Sequence, residues 1–425
     1  MNRCLPVCLA LALLLLLAGC GGSGGSRSST GSSSASTQLS VANVSCSNNP
    51  AYDSTLSGST LTVNTARDYS SPVAHTINTR MDAGGAWVTV SYMLDTVSSP
   101  KGMLVLFSGG DGTTGISPTT GAVLSTGNNF LVRSSDLYAY PGNYDVVVID
   151  RPSDAPATVN GSWDYDVYRT SMNAAVDISA VINDVNTIDT NTAGLPVLFA
   201  GTSRGAISAA SNSMLSSGID LSSPVTSGSG SPVGATGSPS TVQAAGIKVP
   251  VQVTWNSSDG CSVSSPAGSL SLGQQFFNAG VTTTATAIEG GLGDYTSVCN
   301  AKTYHGYLGV ESCTVGQELA WADSIVASLT AGGNSRPVAI RVTSSATGAP
   351  VSIDLNGYPY DNDGDTLSYA IPYATSSLGG SLSLNGSVVT YTPPVSVTGT
   401  DDSFVYVVSD GKGGTASNIV SVSLN

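Results

Sequence analysis

Short apolar runs alternate with helix-compatible stretches through the middle of the chain, and this alternation constrains the fold more than any other feature. The runs occupy residues 103–107, 145–150, 196–200 and 249–255. Unbroken runs of this kind suit strands buried on both faces of a parallel sheet. Residues 166–186, between two of the runs, place Val, Met, Ala and Ile at helical spacing. With right-handed crossovers, this order predicts an open α/β sheet with flanking helices.

Changes in composition divide the chain into four regions. Residues 1–19 are mostly apolar, residues 20–40 are rich in Gly, Ser and Thr, and residues 41–333 contain the α/β pattern. Within this region, residues 61–66 and 87–94 alternate by twos, which predicts antiparallel edge strands. From residue 334 to 425 the helical period disappears and Thr, Ser and Val alternate. We therefore predict a signal segment, a flexible tether, an α/β domain and a small β-sandwich.

The beginning of the chain has the pattern of an export signal. Arg3 supplies a positive start, residues 5–18 are apolar, and the stretch "LAGC" ends at Cys20. The apolar stretch is too short to span a bilayer. "LAGC" resembles the lipobox of bacterial lipoproteins, which implies cleavage before Cys20 and a lipid on that residue. The protein would then be anchored to a membrane of the cell envelope; an ordinary cleaved signal is the alternative.

Charge and cysteine content narrow the partners and the compartment. The chain has 14 Lys and Arg against 28 Asp and Glu, a formal charge of −14, and no basic cluster. Such a surface repels phosphate backbones, so we expect no nucleic-acid binding. After Cys20 the remaining cysteines are Cys46, Cys261, Cys299 and Cys313. Four cysteines in an exported chain suggest two disulfides, in any of three pairings; four buried thiols are the alternative.

A G-x-S-x-G motif centred on Ser203 has the surroundings that its chemistry needs. It directly follows the apolar run 196–200, and residues 206–215 form a small-sided apolar stretch with helical spacing. A strand, a tight turn and a helix are the context of a nucleophile elbow. Gly201 and Gly205 are needed there because larger side chains would collide at the bend. In a chain this rich in Gly and Ser, a chance match is the alternative.

A serine nucleophile needs a base, and the chain has two histidines, His75 and His305. His305 follows the last predicted strand, residues 282–288, and precedes a helix-like stretch, so we predict that it is the base. His75 lies in the early β-region, where a surface histidine is the better interpretation.

The base in turn needs a carboxylate to fix its tautomer. Asp259 follows the run 249–255, at the sheet edge where α/β proteins place their sites, so we predict that it is this acid. Asp294 is a competitor and Asp220 a weaker one. The chain order of Ser203, Asp259 and His305 matches that of hydrolases with a nucleophile elbow.

The stretch "LVLFSGGDGTTG" leaves the first central strand with four glycines. Glycines let backbone N–H groups approach a ligand closely. Gly109 or Gly110, together with the N–H of Arg204, would form an oxyanion hole. A simple turn is the alternative.

Together these segments resemble the α/β-hydrolase superfamily over about residues 61–328. "VLFSGGDG", "NNFLVRSSDLY", "VVVIDRPSD", "GTSRG", "SSDGCSVSSP" and "CNAKTYHGYLGVE" are similar to a group of secreted bacterial members. The resemblance implies a Ser203–His305–Asp259 triad and a Cys261–Cys299 disulfide, and with it a Cys46–Cys313 disulfide. It also implies an exported hydrolase of carboxylic esters without a catalytic cofactor; peptide or thioester cleavage would use the same triad.

The last part of the chain resembles the Ig-like or cadherin-like modules of secreted bacterial proteins, on "DNDGDTLSY", "VVTYTPP" and "GTDDSFVYVVSDGKGGTAS". We expect this module to contact a surface or a polysaccharide. Asp361, Asp363 and Asp365 alternate in it, but the glycine comes too early for an EF-hand and no acid closes the loop. A structural calcium site is one interpretation of these aspartates, and a solvated acidic turn is the other.

Two hypotheses remain open. The first is an exported serine hydrolase acting on a small or polymeric ester. The second is a surface adhesion lipoprotein in which the hydrolase fold is only a binding scaffold. The intact order of serine, acid and histidine favours the first.

Overall fold

The computed structural model describes residues 38–58, 60–62, 72–117, 119–120, 129–155, 162–227, 244–293 and 304–425. The predicted signal segment, Cys20, Asp294 and Cys299 lie outside these ranges. Within the described part of the chain, no helix is both long and apolar enough to cross a bilayer.

A mixed, mostly parallel sheet forms the centre of the first region. Among the described residues it has nine strands, in the order β1-β11-β10-β9-β8-β6-β7-β5-β4, and only β5 runs opposite to the rest, antiparallel to both β4 and β7. The strands are β1 (Val41–Ser45), β4 (Val73–Met81), β5 (Trp87–Asp95), β6 (Met103–Phe107), β7 (Asp145–Pro152), β8 (Val197–Thr202), β9 (Gly218–Ser222), β10 (Val251–Asn256) and β11 (Thr283–Glu289). The central strands β6, β8, β9 and β10 are buried along their whole length.

Helices cover both faces of this sheet. They are α1 (Phe130–Arg133), α2 (Ser135–Ala139), α3 (Ser162–Arg169), α4 (Met172–Ile188), α5 (Gly205–Ser211), α6 (Pro266–Asn278) and α7 (Glu311–Leu329). Buried residues of α1, α2 and α7 share one apolar cluster, and those of α4, α5 and α6 share the other. The helical pattern of residues 166–186 is split between α3 and α4, because the Ser171 side chain caps α4 by accepting from the N–H of Ala174.

The predicted α/β class is confirmed, but two edges differ from expectation. Of the predicted edge strand 61–66, the described residues Leu61 and Thr62 do not join the large sheet: they belong to β3 (Thr60–Thr62), which pairs with β2 (Thr55–Ser57) in a separate hairpin. The partner of β5 is instead β4. The edge strand β1 was not predicted, since its alternation is short and follows a low-complexity stretch.

The C-terminal region is a β-sandwich, as predicted. In the described residues one sheet has the order β12-β18-β17-β14 and the other β13-β16-β15. The strands are β12 (Val342–Ala346), β13 (Val351–Asp354), β14 (Ser368–Ala370), β15 (Ser381–Asn385), β16 (Val388–Thr392), β17 (Thr400–Ser409) and β18 (Thr415–Leu424). Ile353 and Val389 from one sheet, and Phe404 and Val420 from the other, are buried in its core.

The sandwich packs directly on helix α4. The Ser179 and Ser417 hydroxyls are 3.0 Å apart, and Asn183 Nδ2 donates to the Ser417 carbonyl at 3.0 Å. Asn418 Nδ2 donates to Asn183 Oδ1 at 3.2 Å. Apolar residues of α4, β17 and β18 belong to one buried cluster, so residues 38–425 form one compact unit.

Candidate active site

Ser203 occupies a sharp turn between β8 and α5. Its φ is 54°, in the left-handed region that a residue with a side chain rarely adopts. Its N–H donates to the Ser222 carbonyl at 3.0 Å, and its own carbonyl accepts from the N–H of Val225 at 3.2 Å. These bonds hold the strained residue at the carboxyl end of the parallel strands.

The glycines beside Ser203 are required by close backbone packing. A Cβ on Gly205 would collide with the carbonyl group of Phe107, and a Cβ on Gly201 would collide with the carbonyl group of Gly205. Neither obstacle is a flexible side chain that could move away. The sequence therefore forms the predicted elbow through sterics that only glycine satisfies at these two positions.

Asp259 and His305 meet at the same edge of the sheet. Asp259 follows β10, and its Oδ2 lies 3.0 Å from His305 Nδ1. Its Oδ1 accepts from the Cys261 N–H at 2.9 Å. Ser264 Oγ donates to Asp259 Oδ2 at 3.0 Å and lies 2.8 Å from His305 Nδ1. Because a carboxylate can only accept, Nδ1 carries the proton and Nε2 of a neutral ring is an acceptor.

The Nε2 edge of His305 is buried and has no hydrogen-bond partner among the described residues. His305 as a whole residue is only 9% exposed. A hydrogen bond between this atom and the Ser203 hydroxyl is not formed in this structure. Catalytic hydrogen bonds are often long in ligand-free proteins and tighten when substrate binds. A buried acceptor without a partner costs free energy, which is typical of a functional rather than a structural group.

Backbone hydrogen bonds connect the turn at Ser203 to the segment that contacts His305. Val225, bonded to the Ser203 carbonyl, precedes Thr226, whose N–H donates to the Val263 carbonyl at 2.7 Å. The residue after Val263 is Ser264, which contacts the His305 ring. Ser203 and His305, which are far apart in sequence, are therefore joined through two short segments.

Asp220 has another partner and does not contact His305. It lies within β9, is fully buried and faces Glu318 of α7. Burial and the negative charge of Glu318 raise the pKa of Asp220 well above its ordinary value, while burial raises the pKa of Glu318 to about 7. Tyr138 and Ser222 donate to the Glu318 carboxylate. Burial beside a second carboxyl therefore favours the protonated form of this pair.

The glycine loop after β6 is held from beneath by Arg169. This buried guanidinium donates to the Ser108 carbonyl at 3.1 Å and to the Gly110 carbonyl at 3.2 Å. Gly110 has a φ of 59°. Within the described residues, the N–H groups of Gly109 and Gly110 donate no hydrogen bond, so they remain available as donors.

The side chain of Arg204 is directed into the protein. Its guanidinium pairs with the buried carboxylate of Asp166, which also accepts from Arg169 at 2.9 Å. Burial lowers the pKa of Arg204 and raises that of Asp166. An inward anchor fixes the backbone of Arg204 next to Ser203, the position expected of an oxyanion donor.

A buried ion pair holds the loop that carries His305. The side chains of Arg133 and Glu311 are both 0% exposed and lie 3.2 Å apart. Arg133 also donates to the carbonyl of Gly306, and Glu311 accepts from the Gly309 N–H at 2.8 Å. Glu311 further accepts from the Ser54 hydroxyl at 2.5 Å. The residue after His305 is thus fixed through its backbone.

Disulfide cysteines lie near the segments that carry Asp259 and His305. Cys46 and Cys313 are bonded, with an S–S distance of 2.00 Å, which joins the start of the described chain to α7. Cys261, two residues after Asp259, is also a disulfide cysteine. Cys299, which the resemblance implies as its partner, lies outside the described residues.

The remaining predicted residues lie away from this edge. His75 is on β4 and stacks on Tyr92, with ring centroids 5.1 Å apart. In the C-terminal sandwich, carboxylate oxygens of Asp361, Asp365 and Asp410 lie within 4.8 Å of one another.

Other groups already contact this acidic cluster. Asp363 accepts from the Ser335 N–H at 2.6 Å, and the Lys412 ammonium lies 2.6 Å from Asp365. Asp361 Oδ2 and Asp365 Oδ2 are buried and have no partner among the described residues, which fits a cation ligand set. The ammonium of Lys412 would compete with such a cation.

Sequence reasoning missed Ser264, Arg169 and the Arg133–Glu311 pair. Ser264 is one of several serines in "SVSSP", and nothing in the string distinguishes it. Arg133 and Glu311 carry a detectable signal, because charged residues within apolar helix-like stretches are seldom buried unless paired. The identity of the partner is not readable from one sequence.

The strand order and the positions of these residues define the fold. A mostly parallel sheet with a strand–turn–helix elbow after β8, Asp259 after β10 and His305 after β11 has the arrangement of the α/β-hydrolase fold. Residues 334–423 match the family model of the Bacterial Ig domain. No curated protein sequence matches the chain.

Several solved structures are similar to the chain. A brefeldin A esterase, a bacterial homologue of human hormone-sensitive lipase, is 17% identical over 65% of this chain and 81% of its own, with a TM-score of 0.41. A carboxylesterase from Lactobacillus plantarum is 13% identical over 60% and 97%, with a TM-score of 0.40. An acylaminoacyl peptidase from Pyrococcus horikoshii is 11% identical over 59% and 41%, with a TM-score of 0.39.

Proposed function

We propose that the protein is a serine hydrolase that cleaves carboxylic esters through an acyl-enzyme intermediate. The observation that carries the proposal is the 3.0 Å contact of Asp259 with His305, whose other ring nitrogen is buried without a partner. This pair lies at the sheet edge where the elbow presents Ser203. A binding scaffold has no need for a desolvated imidazole acceptor at this edge.

The reaction follows from these positions. Ser203 Oγ attacks the ester carbonyl while His305 Nε2 accepts its proton, and Asp259 stabilises the resulting imidazolium through Nδ1. The N–H groups of Arg204 and of Gly109 or Gly110 hold the oxyanion. His305 returns the proton to the leaving alcohol, and a water activated in the same way releases the acid. Every step uses groups of this chain, so we propose no cofactor for catalysis.

We further propose that the protein is exported and attached to the cell envelope by a lipid on Cys20. The sequence pattern of residues 1–20 supports this, and the Cys46–Cys313 disulfide suits an oxidising compartment. The C-terminal sandwich would hold the hydrolase at a surface or polysaccharide. Because the sandwich packs on α4, it would fix the orientation of the catalytic edge as well as its location.

Labelling with a fluorophosphonate tests the proposal. The mature protein should react with the probe, and the Ser203→Ala variant should not. Hydrolysis of p-nitrophenyl esters of increasing chain length should fall to background in the same variant. A matched control is Ser262→Ala, which changes an exposed serine on the acid loop and should label like the parent. An unlabelled but folded parent would instead support the adhesion scaffold.

A further inference from the structure

The side chain of Asn129 lies beside the elbow, at the end of the segment that follows the glycine loop. A Cβ placed on Gly109 would lie 2.9 Å from Ser203 Cβ and 3.3 Å from Asn129 Nδ2. The serine side chain and the amide nitrogen therefore approach the same face of Gly109. None of the motifs singled out Asn129 for a chemical role.

The orientation of this amide is fixed by its own helix. Asn129 is the N-cap of α1, with φ −75° and ψ 135°, and its Oδ1 accepts from the Leu131 N–H at 3.2 Å. Since the oxygen is committed to the cap, the NH₂ group must point the other way, towards Gly109. A flipped amide would lose the cap.

The NH₂ group of Asn129 donates no hydrogen bond to another described residue. Within the described residues, Asn129 Nδ2 donates no hydrogen bond, and it is not among the buried atoms that lack a partner. The side chain is half-buried, whereas the four residues of α1 that follow are buried. The amide is therefore held at its oxygen by the cap, and its nitrogen lies close to Gly109 and carries no hydrogen bond to another described residue.

Helix α1 also connects this donor to the base. At its other end Arg133 pairs with Glu311 and donates to the carbonyl of Gly306, next to His305. Phe130 packs on Tyr307, with ring centroids 4.8 Å apart. One rigid element thus sets the position of the amide relative to both Ser203 and the His305 loop.

We propose that Asn129 is a catalytic residue whose Nδ2–H donates a hydrogen bond to the oxyanion, alongside the backbone N–H groups. The inference rests on the proposed ester hydrolysis. No proton leaves Asn129; the hydrogen bond strengthens as the carbonyl oxygen becomes negative and weakens as the intermediate collapses. A donor already fixed in place stabilises that charge without reorganisation, which makes it more effective than a mobile one.

Two substitutions separate this role from capping. Asn129→Ser keeps a good N-cap and removes the NH₂ donor, whereas Asn129→Asp keeps the cap but places a carboxylate beside the developing oxyanion. We expect both to retain the melting temperature of the parent and to change KM only slightly. The kcat for p-nitrophenyl butyrate should fall by roughly 10²–10³-fold in Asn129→Ser and further in Asn129→Asp, because its charge repels the oxyanion. Asn129→Ala should lose the same activity and also melt earlier.

The outcomes are distinct from those that test the function itself. Loss of one oxyanion donor should lower kcat far more than threefold. If the parent hydrolyses the ester and the folded Asn129→Ser variant keeps kcat within about threefold of the parent value, Asn129 is only a cap and the inference is wrong. If the parent neither hydrolyses the ester nor reacts with fluorophosphonate, the proposed function fails and the inference fails with it.

A measurement on the unmodified chain covers the case of variants that do not fold. In a crystal structure of the phosphonylated parent, Asn129 Nδ2 should lie about 3 Å from the phosphoryl oxygen. An amide turned away from that oxygen would overturn the inference.

Discussion

The two sides of the candidate site are built in different ways. Ser203 is positioned by its neighbours in sequence: a strand, a strained turn and a helix, with Gly201 and Gly205 admitting the close backbone packing. His305 is positioned by side chains from distant segments, among them Arg133 and Ser264. The nucleophile side depends on backbone sterics, and the acid–base side depends on buried polar contacts and disulfides.

This difference predicts how each side fails. The close backbone packing around Ser203 leaves no room for added atoms, and it does not depend on pH. The buried polar contacts around His305 tolerate changes of shape. They do not tolerate the loss of one hydrogen-bonding or charged partner, because the other group is then buried without a partner.

The largest loss of stability is expected from breaking the ion pair behind the His305 loop. Arg133→Met leaves Glu311 charged and fully buried, so the free energy of unfolding should fall by about 3–5 kcal/mol. Chemical denaturation measures it. The control is Lys101→Met, which breaks a pair whose side chains are 40% and 45% exposed and should cost less than about 1 kcal/mol. Equal losses in the two variants would show that burial does not decide the strength of these pairs.

The next effect tests the steric side. Gly205→Ala drives a Cβ into the Phe107 carbonyl group, so we expect a loss of about 1–3 kcal/mol and slower ester hydrolysis as Ser203 moves. Gly316→Ala in α7 is the control, since nothing lies within 4 Å of a Cβ there; it should stabilise the protein slightly. A neutral Gly205→Ala would contradict the steric account of the elbow.

A smaller effect is expected from Ser264→Ala. His305 and Asp259 still bond directly, but the ring loses a contact at 2.8 Å. Loss of one hydrogen bond of about 1 kcal/mol should lower kcat roughly five- to tenfold and leave KM unchanged. Steady-state kinetics of Ser264→Ala and Ser264→Thr check this, since threonine keeps the hydroxyl and should recover much of kcat. A change in KM alone would assign Ser264 to substrate binding.

The polar network beneath the site should make stability depend on pH. The folded-state pKa of Glu318 is raised to about 7 by burial and that of Asp220 well above its ordinary value, so the folded protein holds a proton that the unfolded chain releases. Stability is then fully present below the ordinary carboxyl pKa and falls as pH rises through about 7. Melting temperatures from pH 5 to 8 should show this fall, and the double variant Asp220→Asn/Glu318→Gln should flatten it. Glu289→Gln, an exposed control, should keep the slope of the parent.

The smallest effect concerns the sandwich, far from either side of the site. If Asp361, Asp365 and Asp410 hold calcium, millimolar Ca²⁺ should raise the stability of the parent by about 1 kcal/mol and that of Asp365→Asn less. Lys412→Met removes the competing ammonium and should enlarge the effect. A melting temperature that does not change with calcium in the parent and in Lys412→Met would leave a solvated acidic turn.

The same difference explains what the sequence could predict. The elbow is local, so the G-x-S-x-G motif between an apolar run and a helix-like stretch predicted the turn at Ser203, and the continuous apolar runs predicted β6, β7, β8 and β10. Asp259 was favoured over Asp294 and Asp220 only by its place after a strand. Ser264 and His305, which are in contact, are separated by 41 positions in the sequence. Arg133 and Glu311, which form an ion pair, are separated by 178 positions. Such contacts leave no periodic pattern in a single sequence.

The central claim is that Ser203, His305 and Asp259 act as one unit, and the rate at which Ser203 is phosphonylated tests it most directly. Intact-mass measurements over time should show one phosphonyl group on the parent. Asp259→Asn keeps the shape but favours the wrong tautomer of His305, and should react more slowly by a factor on the order of 10⁴. Equal rates in the two proteins, or an adduct on another residue, would contradict the account.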